Sequence, residues 1–295
     1  MEYTLQNIIE HPKFQKKLEK IAASQKRELS EVQKDAVACI KELYAQQNPL
    51  ANLMAIKGFQ FLISRAYNNK IDIDRQEIKN LMGLMKEHSV AFILTHKTYL
   101  DTVVLAATLA RYGMPIPYTF GGINLAFPGL KQLGKNSGLI FIRRSFKDDE
   151  VYKAALRHYI SCIIENGEHL TWNIEGTRSR TGKIVYPQMG ILKYIMEGEA
   201  YSSRKIKYVP VSIVYDLIPD VKEMTEQGKG KEKKSEDVSE FIKYYQKLGR
   251  QYGKAAIRFG DPVDASAHQN AIIPDVDEKS YDEKYILPRF AFELI

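Results

Sequence analysis

The sequence predicts an α/β protein in which helices flank a mostly parallel central sheet, with an N-terminal helical region added to it. The first observation is that, from residue 90 onward, short apolar segments of strand length alternate with longer segments whose apolar residues recur at helical spacing. The second is that only the helical spacing occurs before residue 70. Strands that are separated by helices usually pair in parallel and are covered on both faces. We therefore divide the chain into a helical accessory region, residues 1–72, and an α/β domain, residues 73–295.

Helix signals define the first elements. Ser30 and Gln33 form a capping-box pattern ahead of apolar residues at helical spacing. Asn48-Pro49 ends that helix and begins another, with Asn48 as the N-cap and Pro49 in the first turn. The second helix has a broad apolar surface, formed by Leu50, Leu53, Met54, Phe59, Phe61, Leu62 and Ile63. Such a surface packs into a core or, alternatively, enters a membrane interface.

The remaining elements alternate. Asp74 is predicted to cap a helix that leads to the first strand. Strands are predicted at residues 90–95, 116–120, 138–142, 170–175, 207–215 and 255–259, and helices at residues 100–112, 150–165 and 189–197. Residues 287–295 begin an apolar helix without an end signal, so we expect the C-terminal end of the domain to be truncated. Open parallel sheets bind ligands beyond the carboxyl ends of their strands, so the turns that follow the strands are the place to look for a site.

The composition is that of a folded protein with a basic surface. The 295 residues are 44% hydrophobic and 27% charged, and they carry a formal net charge of +7. This charge favours anionic partners: phosphorylated metabolites, anionic lipid headgroups or nucleic acid. No nucleic-acid-binding motif is apparent, which argues against nucleic acid. Because the sequence has neither a secretory-signal pattern nor an apolar run of ~18 residues, we expect a peripheral protein on the cytoplasmic side of a membrane.

The two cysteines, Cys39 and Cys162, are interpreted as reduced core residues, because they are far apart and lie in helical patterns. A nucleophilic Cys162 is the alternative, although nothing near it in the sequence would lower its pKa. The cysteine usage therefore indicates a reducing compartment.

The most informative segment is the turn that follows the first predicted strand of the sheet. His96 comes directly after this strand, and Asp101 lies five positions later in a helical stretch. On one continuous helix the two side chains would be about 140° apart, but they can meet if His96 lies in the turn and Asp101 in the first helical turn. Asp101 would then fix the orientation and tautomer of the imidazole, and the other ring nitrogen could act as a general base. A histidine that only caps the helix is the alternative.

Two other strand ends carry clustered arginines. Arg143 and Arg144 follow the strand at residues 138–142. The segment that follows Leu170–Ile174 contains Glu175, Gly176, Thr177, Arg178 and Arg180. Guanidinium groups match phosphate oxygens in bidentate geometry, so we expect arginines from two separate strands to clamp one phosphate. Glu175 would hold a guanidinium or accept a hydrogen bond from a substrate hydroxyl; solvated basic turns are the alternative.

These segments resemble a known family. His96-Lys-Thr-Tyr-Leu-Asp101 matches the H-x4-D block of the glycerolipid acyltransferases. Residues 138–144, 175–180 and 209–213 resemble their second, third and fourth blocks, in the same order. The second and third blocks are most similar to the glycerol-3-phosphate and dihydroxyacetone-phosphate 1-acyltransferases. The fold implied by this resemblance is the glycerolipid acyltransferase fold.

The resemblance also implies roles for individual residues. His96, oriented by Asp101, would deprotonate the 1-hydroxyl of glycerol 3-phosphate. The oxygen would attack the thioester of acyl-CoA or acyl carrier protein directly, with no acyl-enzyme, metal or cofactor. The acceptor phosphate would be bound by Arg143, Arg144 and Arg178. The substrate site would also include Glu175, Gly176, Thr177 and Arg180, with Pro210 beside the acyl-binding region.

The sequence therefore favours a peripheral O-acyltransferase that makes lysophosphatidic acid for phospholipid biosynthesis, with an anionic membrane surface as a partner and no nucleic acid. Acylation of dihydroxyacetone phosphate or of a lysophospholipid is the alternative reaction. A non-catalytic lipid- or phosphate-binding protein is the alternative of another class, but such a protein has no need of a base next to its phosphate site.

Overall fold

Seven strands form one central sheet in the computed structural model, which describes residues 4–122, 130–143, 145–179, 182–229, 244, 246, 248–249, 252–265 and 283–295. The strands are β1 (Ile71–Ile73), β2 (Ser89–Leu94), β3 (Tyr118–Gly122), β4 (Leu139–Ile142), β5 (Leu170–Asn173), β6 (Ile206–Tyr215) and β7 (Ala255–Phe259). The helices are α1 (Leu5–Ile9), α2 (Pro12–Gln25), α3 (Leu29–Leu43), α4 (Pro49–Tyr67), α5 (Arg75–Glu87), α6 (Asp101–Arg111), α7 (Leu130–Asn136), α8 (Glu150–Glu165), α9 (Met189–Tyr201), α10 (Val221–Gly228) and α11 (Glu283–Glu293).

The sheet has the strand order β1-β7-β6-β2-β5-β3-β4, and every pair is parallel except β6 with β7. β2 lies at the centre between β5 and β6, and all 6 of its residues are buried. Complete burial of a central strand is typical of a parallel sheet with helices on both faces. The predicted α/β class, with a mostly parallel sheet, is confirmed.

Different helices cover the two faces of the sheet. α1, α2, α3, α8, α9 and α11 contribute to the core on one face, together with Ala91 and Ile93 of β2. α4, α5 and α6 contribute to the core on the other face, together with Phe92 and Leu94. The N-terminal helices therefore share their core with the sheet. The boundary expected at residue 72 falls within β1, which pairs with β7.

Two helix starts follow their sequence signals. Oδ1 of Asn48 accepts a hydrogen bond from the backbone N–H of Leu50 at 3.0 Å, which caps α4 as predicted. Oδ1 of Asp74 accepts from the backbone N–H of Gln76 at 2.7 Å, which caps α5. Both side chains satisfy amides that the first helical turn leaves without partners.

The capping box expected at Ser30 and Gln33 is wrong. The N-cap of α3 lies two residues earlier, at Glu28, which makes no side-chain cap bond, and the helix begins at Leu29. Nε2 of Gln33 instead donates to Oε1 of Gln15 on α2 at 2.7 Å. Packing of α2 against α3, which a local sequence pattern does not contain, therefore determines where this glutamine lies.

α4 has a buried side and an exposed apolar side. Ala51, Ile63, Ala66 and Tyr67 are buried. Leu50, Leu53, Met54 and Phe61 are 67%, 48%, 55% and 46% exposed, respectively. The broad apolar surface predicted for this helix is thus divided between the core and solvent. Among the described residues, no helix combines the length and the apolar character that a membrane crossing needs.

Candidate active site

His96 and Asp101 meet beyond the carboxyl end of β2. His96 lies two residues after the strand, and Asp101 is the first residue of α6. Nδ1 of His96 is 3.4 Å from Oδ2 of Asp101. The Asp101 side chain is only 4% exposed, whereas that of His96 is 22% exposed. The two side chains therefore meet as predicted. Because Asp101 favours a proton on Nδ1, Nε2 of the neutral imidazole is left as the basic nitrogen.

Backbone amides of the same turn hold the Asp101 carboxylate. Its Oδ2 accepts hydrogen bonds from the N–H groups of Lys97, at 2.7 Å, and Thr98, at 2.9 Å. The carboxylate also lies in the first turn of α6, where the helix dipole favours a negative charge. These charge-assisted hydrogen bonds fix the carboxylate opposite the imidazole.

A partly buried tyrosine that the sequence analysis did not single out completes the surroundings of Asp101. Tyr215, the last residue of β6, donates its hydroxyl to Oδ1 of Asp101 at 2.8 Å. Burial, followed by the charge of Asp101, raises the pKa of Tyr215 well above its ordinary value, so its hydroxyl stays protonated and remains a donor. The ring of Tyr67 stacks on that of Tyr215, with 5.5 Å between centroids. Tyr215 is therefore a positioning residue for the His96–Asp101 pair.

Glu175 joins the turn after β5 to the histidine turn. It is 1% exposed, and its Oε2 accepts from the backbone N–H of His96 at 2.6 Å. Its Oε1 accepts from the backbone N–H of Val185 at 2.7 Å. The N–H of Ser179 donates to the carbonyl of His96 at 2.7 Å, so the turn after β5 holds the histidine backbone at both its N–H and its carbonyl. Both oxygens of Glu175 therefore accept from backbone amides, and its expected contact with a guanidinium or a substrate hydroxyl stays a prediction.

Arg178 is buried in a polar cluster next to the same turn. Its Nη1 donates to Oδ1 of Asp220 at 3.0 Å, and its guanidinium lies over the ring of Tyr99, 4.8 Å from the centroid. Oδ2 of Asp220 accepts from the hydroxyl of Thr98, which also lies 2.9 Å from the hydroxyl of Tyr244. Because buried charges are tolerated only when they are paired, Asp220 fixes the orientation of Arg178. Through Thr98 it also ties this arginine to the histidine turn.

Arg143 has different surroundings. It follows β4 at the edge of the sheet, and its Nη2 and Nη1 donate to Glu42 of α3 at 2.6 Å and to Asp149 at 2.9 Å. Its guanidinium lies 4.3 Å from the ring centroid of Tyr152. Hydrogen bonding to Glu42 raises the pKa of Arg143. It lines a pocket of about 510 Å³ whose residues come from α2, α3, α8 and adjoining turns, and none comes from the turns after β2 or β5. Arg143 thus fastens the N-terminal helices to the edge of the sheet.

Arg143 and Arg178 are bound to different carboxylates, and a phosphate clamp that they share stays a prediction. Arg143 is bound beyond β4, and Arg178 is bound to Asp220, which follows β6. Two strand spacings, about 10 Å in total, separate β4 from β5, the strand that Arg178 follows. Arg144 and Arg180 lie outside the described residues, so their part in phosphate binding stays a prediction.

The other predicted site residues lie near the histidine turn or just below it in the sheet. Gly176 and Thr177 are exposed. Gly176 has a φ of +66°, and a Cβ there would lie 2.8 Å from Cγ of Gln188, so the turn requires glycine. Pro210 lies opposite Ile93 in the β2–β6 register, three residues before the histidine. Its place beside an acyl chain stays a prediction.

Neither cysteine has the surroundings of a nucleophile. Both are free thiols. Burial raises the pKa of Cys39 to about 11 and that of Cys162 to about 12. Both thiols therefore stay protonated near neutral pH, which contradicts the alternative of a nucleophilic Cys162.

Two known families match consecutive parts of the chain. Residues 71–214, from β1 to the end of β6, match the family described as Acyltransferase. Residues 224–295 match the family described as Glycerol-3-phosphate acyltransferase C-terminal region. The chain belongs to the glycerol-3-phosphate acyltransferase family. The first match contains the histidine turn and both arginine turns described above.

Relatives from three organisms agree with this assignment. A protein of Mycobacterium tuberculosis that is provisionally named acyltransferase plsB1 is 34% identical over 251 residues, which are 85% of this chain and 40% of that protein. A protein of the same name from Mycobacterium bovis matches equally well. The glycerol-3-phosphate acyltransferase of Haemophilus influenzae is 28% identical over 280 residues, 94% of this chain and 34% of that protein. This chain therefore spans less than half the length of these relatives.

Proposed function

We propose that this chain transfers a fatty acyl group from a thioester donor to the 1-hydroxyl of glycerol 3-phosphate. The observation that carries the proposal is the His96–Asp101 pair, in which a buried carboxylate orients a partly exposed imidazole. An imidazole with a basic Nε2 suits the deprotonation of a hydroxyl acceptor. The name of the Haemophilus influenzae relative and the match of the C-terminal region support glycerol 3-phosphate as that acceptor.

In the proposed reaction, Nε2 of His96 takes the proton of the acceptor hydroxyl while the oxygen bonds to the thioester carbonyl carbon. The carbon–sulfur bond then breaks, and the proton passes from His96 to the departing thiolate. Asp101 stabilises the imidazolium that exists between these two proton transfers. The acyl group passes directly to the acceptor, and the proposal requires neither an acyl-enzyme nor a metal.

We assign the acceptor phosphate to Arg178, with Arg144 and Arg180 as further candidates. Arg178 precedes Ser179, which is hydrogen-bonded to the His96 carbonyl, so it belongs to the same small region as the base. Its guanidinium is already oriented by Asp220, which reduces the entropy lost when a phosphate binds. Arg143 is not included, because its Nε, Nη1 and Nη2 donate to the carboxylates of Glu42 and Asp149.

Acyl-transfer assays with several acceptors test this function. The chain is mixed with long-chain acyl-CoA or acyl carrier protein, thiol release is followed, and the product is identified by mass spectrometry. We expect release that depends on glycerol 3-phosphate and yields 1-acyl-glycerol 3-phosphate. Faster turnover with dihydroxyacetone phosphate or a lysophospholipid would establish the alternative reaction. Glycerol 3-phosphate binding without any acyl transfer would instead show a non-catalytic binding protein.

We further propose that α4 contacts an anionic membrane from one side. Its exposed residues Leu50, Leu53, Met54 and Phe61 lie within an arc of about 100° on the helix surface, and the chain carries a net charge of +7. The double variant Leu53→Glu, Met54→Glu should no longer co-sediment with anionic vesicles. The double variant Ile184→Glu, Phe292→Glu, which changes two similarly exposed side chains outside α4, is the matched control. Equal loss in both variants would contradict a role for α4.

A further inference from the structure

A groove of about 810 Å³ lies between α2 and α8, on the outside of the helical layer. We call it the α2–α8 groove. Its apolar and neutral floor is formed by Ile8, Phe14, Ala154, His158 and Cys162. The volume is within the range of small-molecule sites in proteins. No residue of the histidine turn or of either arginine turn lines it.

The rim of the α2–α8 groove is strongly cationic. It consists of Lys13, Lys16, Lys17, Lys20, Arg157 and Arg204. The four lysines recur at a spacing of three and four residues, which places them along one side of α2. Arg157 is paired with Glu197. Glu165, a carboxylate that lines the groove, accepts hydrogen bonds from Ser202 and Ser203.

Five of the rim cations have no ion-pair partner among the residues that the structure describes. They are Lys13, whose Nζ donates to the carbonyl of Tyr201, and Lys16, Lys17, Lys20 and Arg204. Unpaired cations that converge on a concave surface produce a positive potential stronger than that of a flat, solvated face. This potential selects an anionic ligand.

The floor of the groove is neutral and aromatic. The imidazole of His158 stacks on the ring of Phe14, with centroids 4.4 Å apart and an angle of 9° between the planes. Nε2 of His158 lies 2.8 Å from the carbonyl of Ile8. Burial lowers the pKa of His158 to about 4, so the ring is uncharged at neutral pH. A hydrocarbon chain can pack on such a floor, whereas a fully polar anion gains nothing from it.

The groove lies far from His96. Its lining includes the last residues of α8 and residues 201–204, which precede β6, whereas His96 follows the opposite end of β2. β2 and β6 are paired in parallel over six residues, about 20 Å, between these two ends. A ligand in the groove would therefore be distinct from a substrate bound at the histidine turn.

We propose that the α2–α8 groove binds a single-chain anionic lipid, with its head between Lys16, Lys20 and Arg204 and its acyl chain along the floor. Anionic heads accept several charge-assisted hydrogen bonds from such a rim. The chain accounts for the apolar floor, which a metabolite phosphate alone would leave unused. A lysophospholipid with a phosphate head and a free fatty acid share this chemistry, so both are compared in the test.

Binding is measured by calorimetry on the full chain, with 1-oleoyl-lysophosphatidate and oleate below their aggregation concentrations. Inorganic phosphate, which has no chain, and 1-oleoyl-lysophosphatidylcholine, which has no net charge, are the two reference probes. We expect at least one of the anionic lipids to bind about tenfold or more tightly than either reference. The proposal is overturned if inorganic phosphate or the uncharged lipid binds equally well, or if only vesicles bind.

Charge reversal tests the location. Lys16→Glu with Lys20→Glu should weaken binding by about tenfold or more, because two head contacts become repulsive. The control is the double variant Lys34→Glu, Lys41→Glu, which makes the same change of charge on exposed residues of α3 that do not line the groove. This control should bind the lipid as tightly as the unchanged chain does. Circular dichroism verifies that both variants are folded. Equal affinity in the two variants would refute the groove as the site.

Discussion

The turns after β2 and β4 each place a nitrogen-containing side chain within two residues of the end of a strand, but the contacts of these side chains differ. After β2, His96 pairs with Asp101 of the same turn, and the turn after β5 holds its backbone. After β4, Arg143 pairs with Glu42 of α3, 101 residues away, as well as with Asp149 at the start of the next helix. The comparison shows that the chemistry of a side chain at a strand end does not by itself identify a ligand-binding group.

The largest effect is expected from His96→Ala. Because the change removes both the general base and the positioning of the acceptor hydroxyl, the rate of acyl transfer should fall by at least about three orders of magnitude. Thiol release under saturating substrates measures this loss. The side chain is partly exposed, so the fold should persist in circular dichroism. A folded variant with near-normal thiol release would show that the turn after β2 is not the catalytic one.

Asp101→Asn should reduce kcat by about a hundredfold or more. The amide keeps the size of the side chain but cannot stabilise the imidazolium, and it favours the wrong tautomer of His96. Melting temperature and single-turnover kinetics separate this effect from unfolding. Asp149→Asn, at the Arg143 turn, is the matched control and should leave kcat unchanged. If both variants lose activity equally, the distinction between the two turns is invalid.

Arg178→Ala and Arg143→Ala compare the two arginines directly. Loss of Arg178 should raise the KM for glycerol 3-phosphate by tens-fold, since a charged hydrogen bond contributes about 2 kcal/mol. Arg178→Lys should restore only part of this loss, because it keeps the charge without the planar fork. Arg143→Ala should leave that KM unchanged and lower the free energy of unfolding by about 1 kcal/mol, since its ion pairs are partly exposed. A rise in the KM for the acyl donor with an unchanged KM for glycerol 3-phosphate would show that Arg178 binds the donor instead.

The sequence alone predicts the strands of the sheet centre and the pairing of His96 with Asp101. Both depend on local information: strands longer than three residues, helical periodicity and a short turn. β1 was not predicted, because three residues are too few to show an alternating pattern. The partners of Arg143 and Arg178 were not predicted either, because Glu42 and Asp220 lie 101 and 42 residues away. Such contacts follow from the packing of whole elements.

The position of Tyr215 next to the site can be predicted once the pairing of β2 with β6 is known. It is 114 residues from Asp101 and lies in no recognisable motif. The parallel register pairs Leu94 with Val211, which places Tyr215 level with residue 98, beside the histidine turn. Knowledge of the β2–β6 pairing would therefore have identified this side chain as a neighbour of the site.

The smallest effect, and the sharpest test of how the histidine turn is built, is expected from Tyr215→Phe. The phenyl ring keeps the stack on Tyr67 but leaves Oδ1 of Asp101 without its donor, so kcat should fall by about five- to tenfold. The carboxylate then holds a proton or the imidazolium more strongly, which moves the acid limb of the kcat/KM profile to higher pH. The raised pKa of Tyr215 keeps its hydroxyl protonated across this range in the unchanged chain, so the shift reports the lost hydrogen bond. The control is Tyr208→Phe, which removes another hydroxyl of β6, next to Glu199, and should leave the pH profile unchanged. Identical pH profiles for the two variants would show that Tyr215 has a purely structural role.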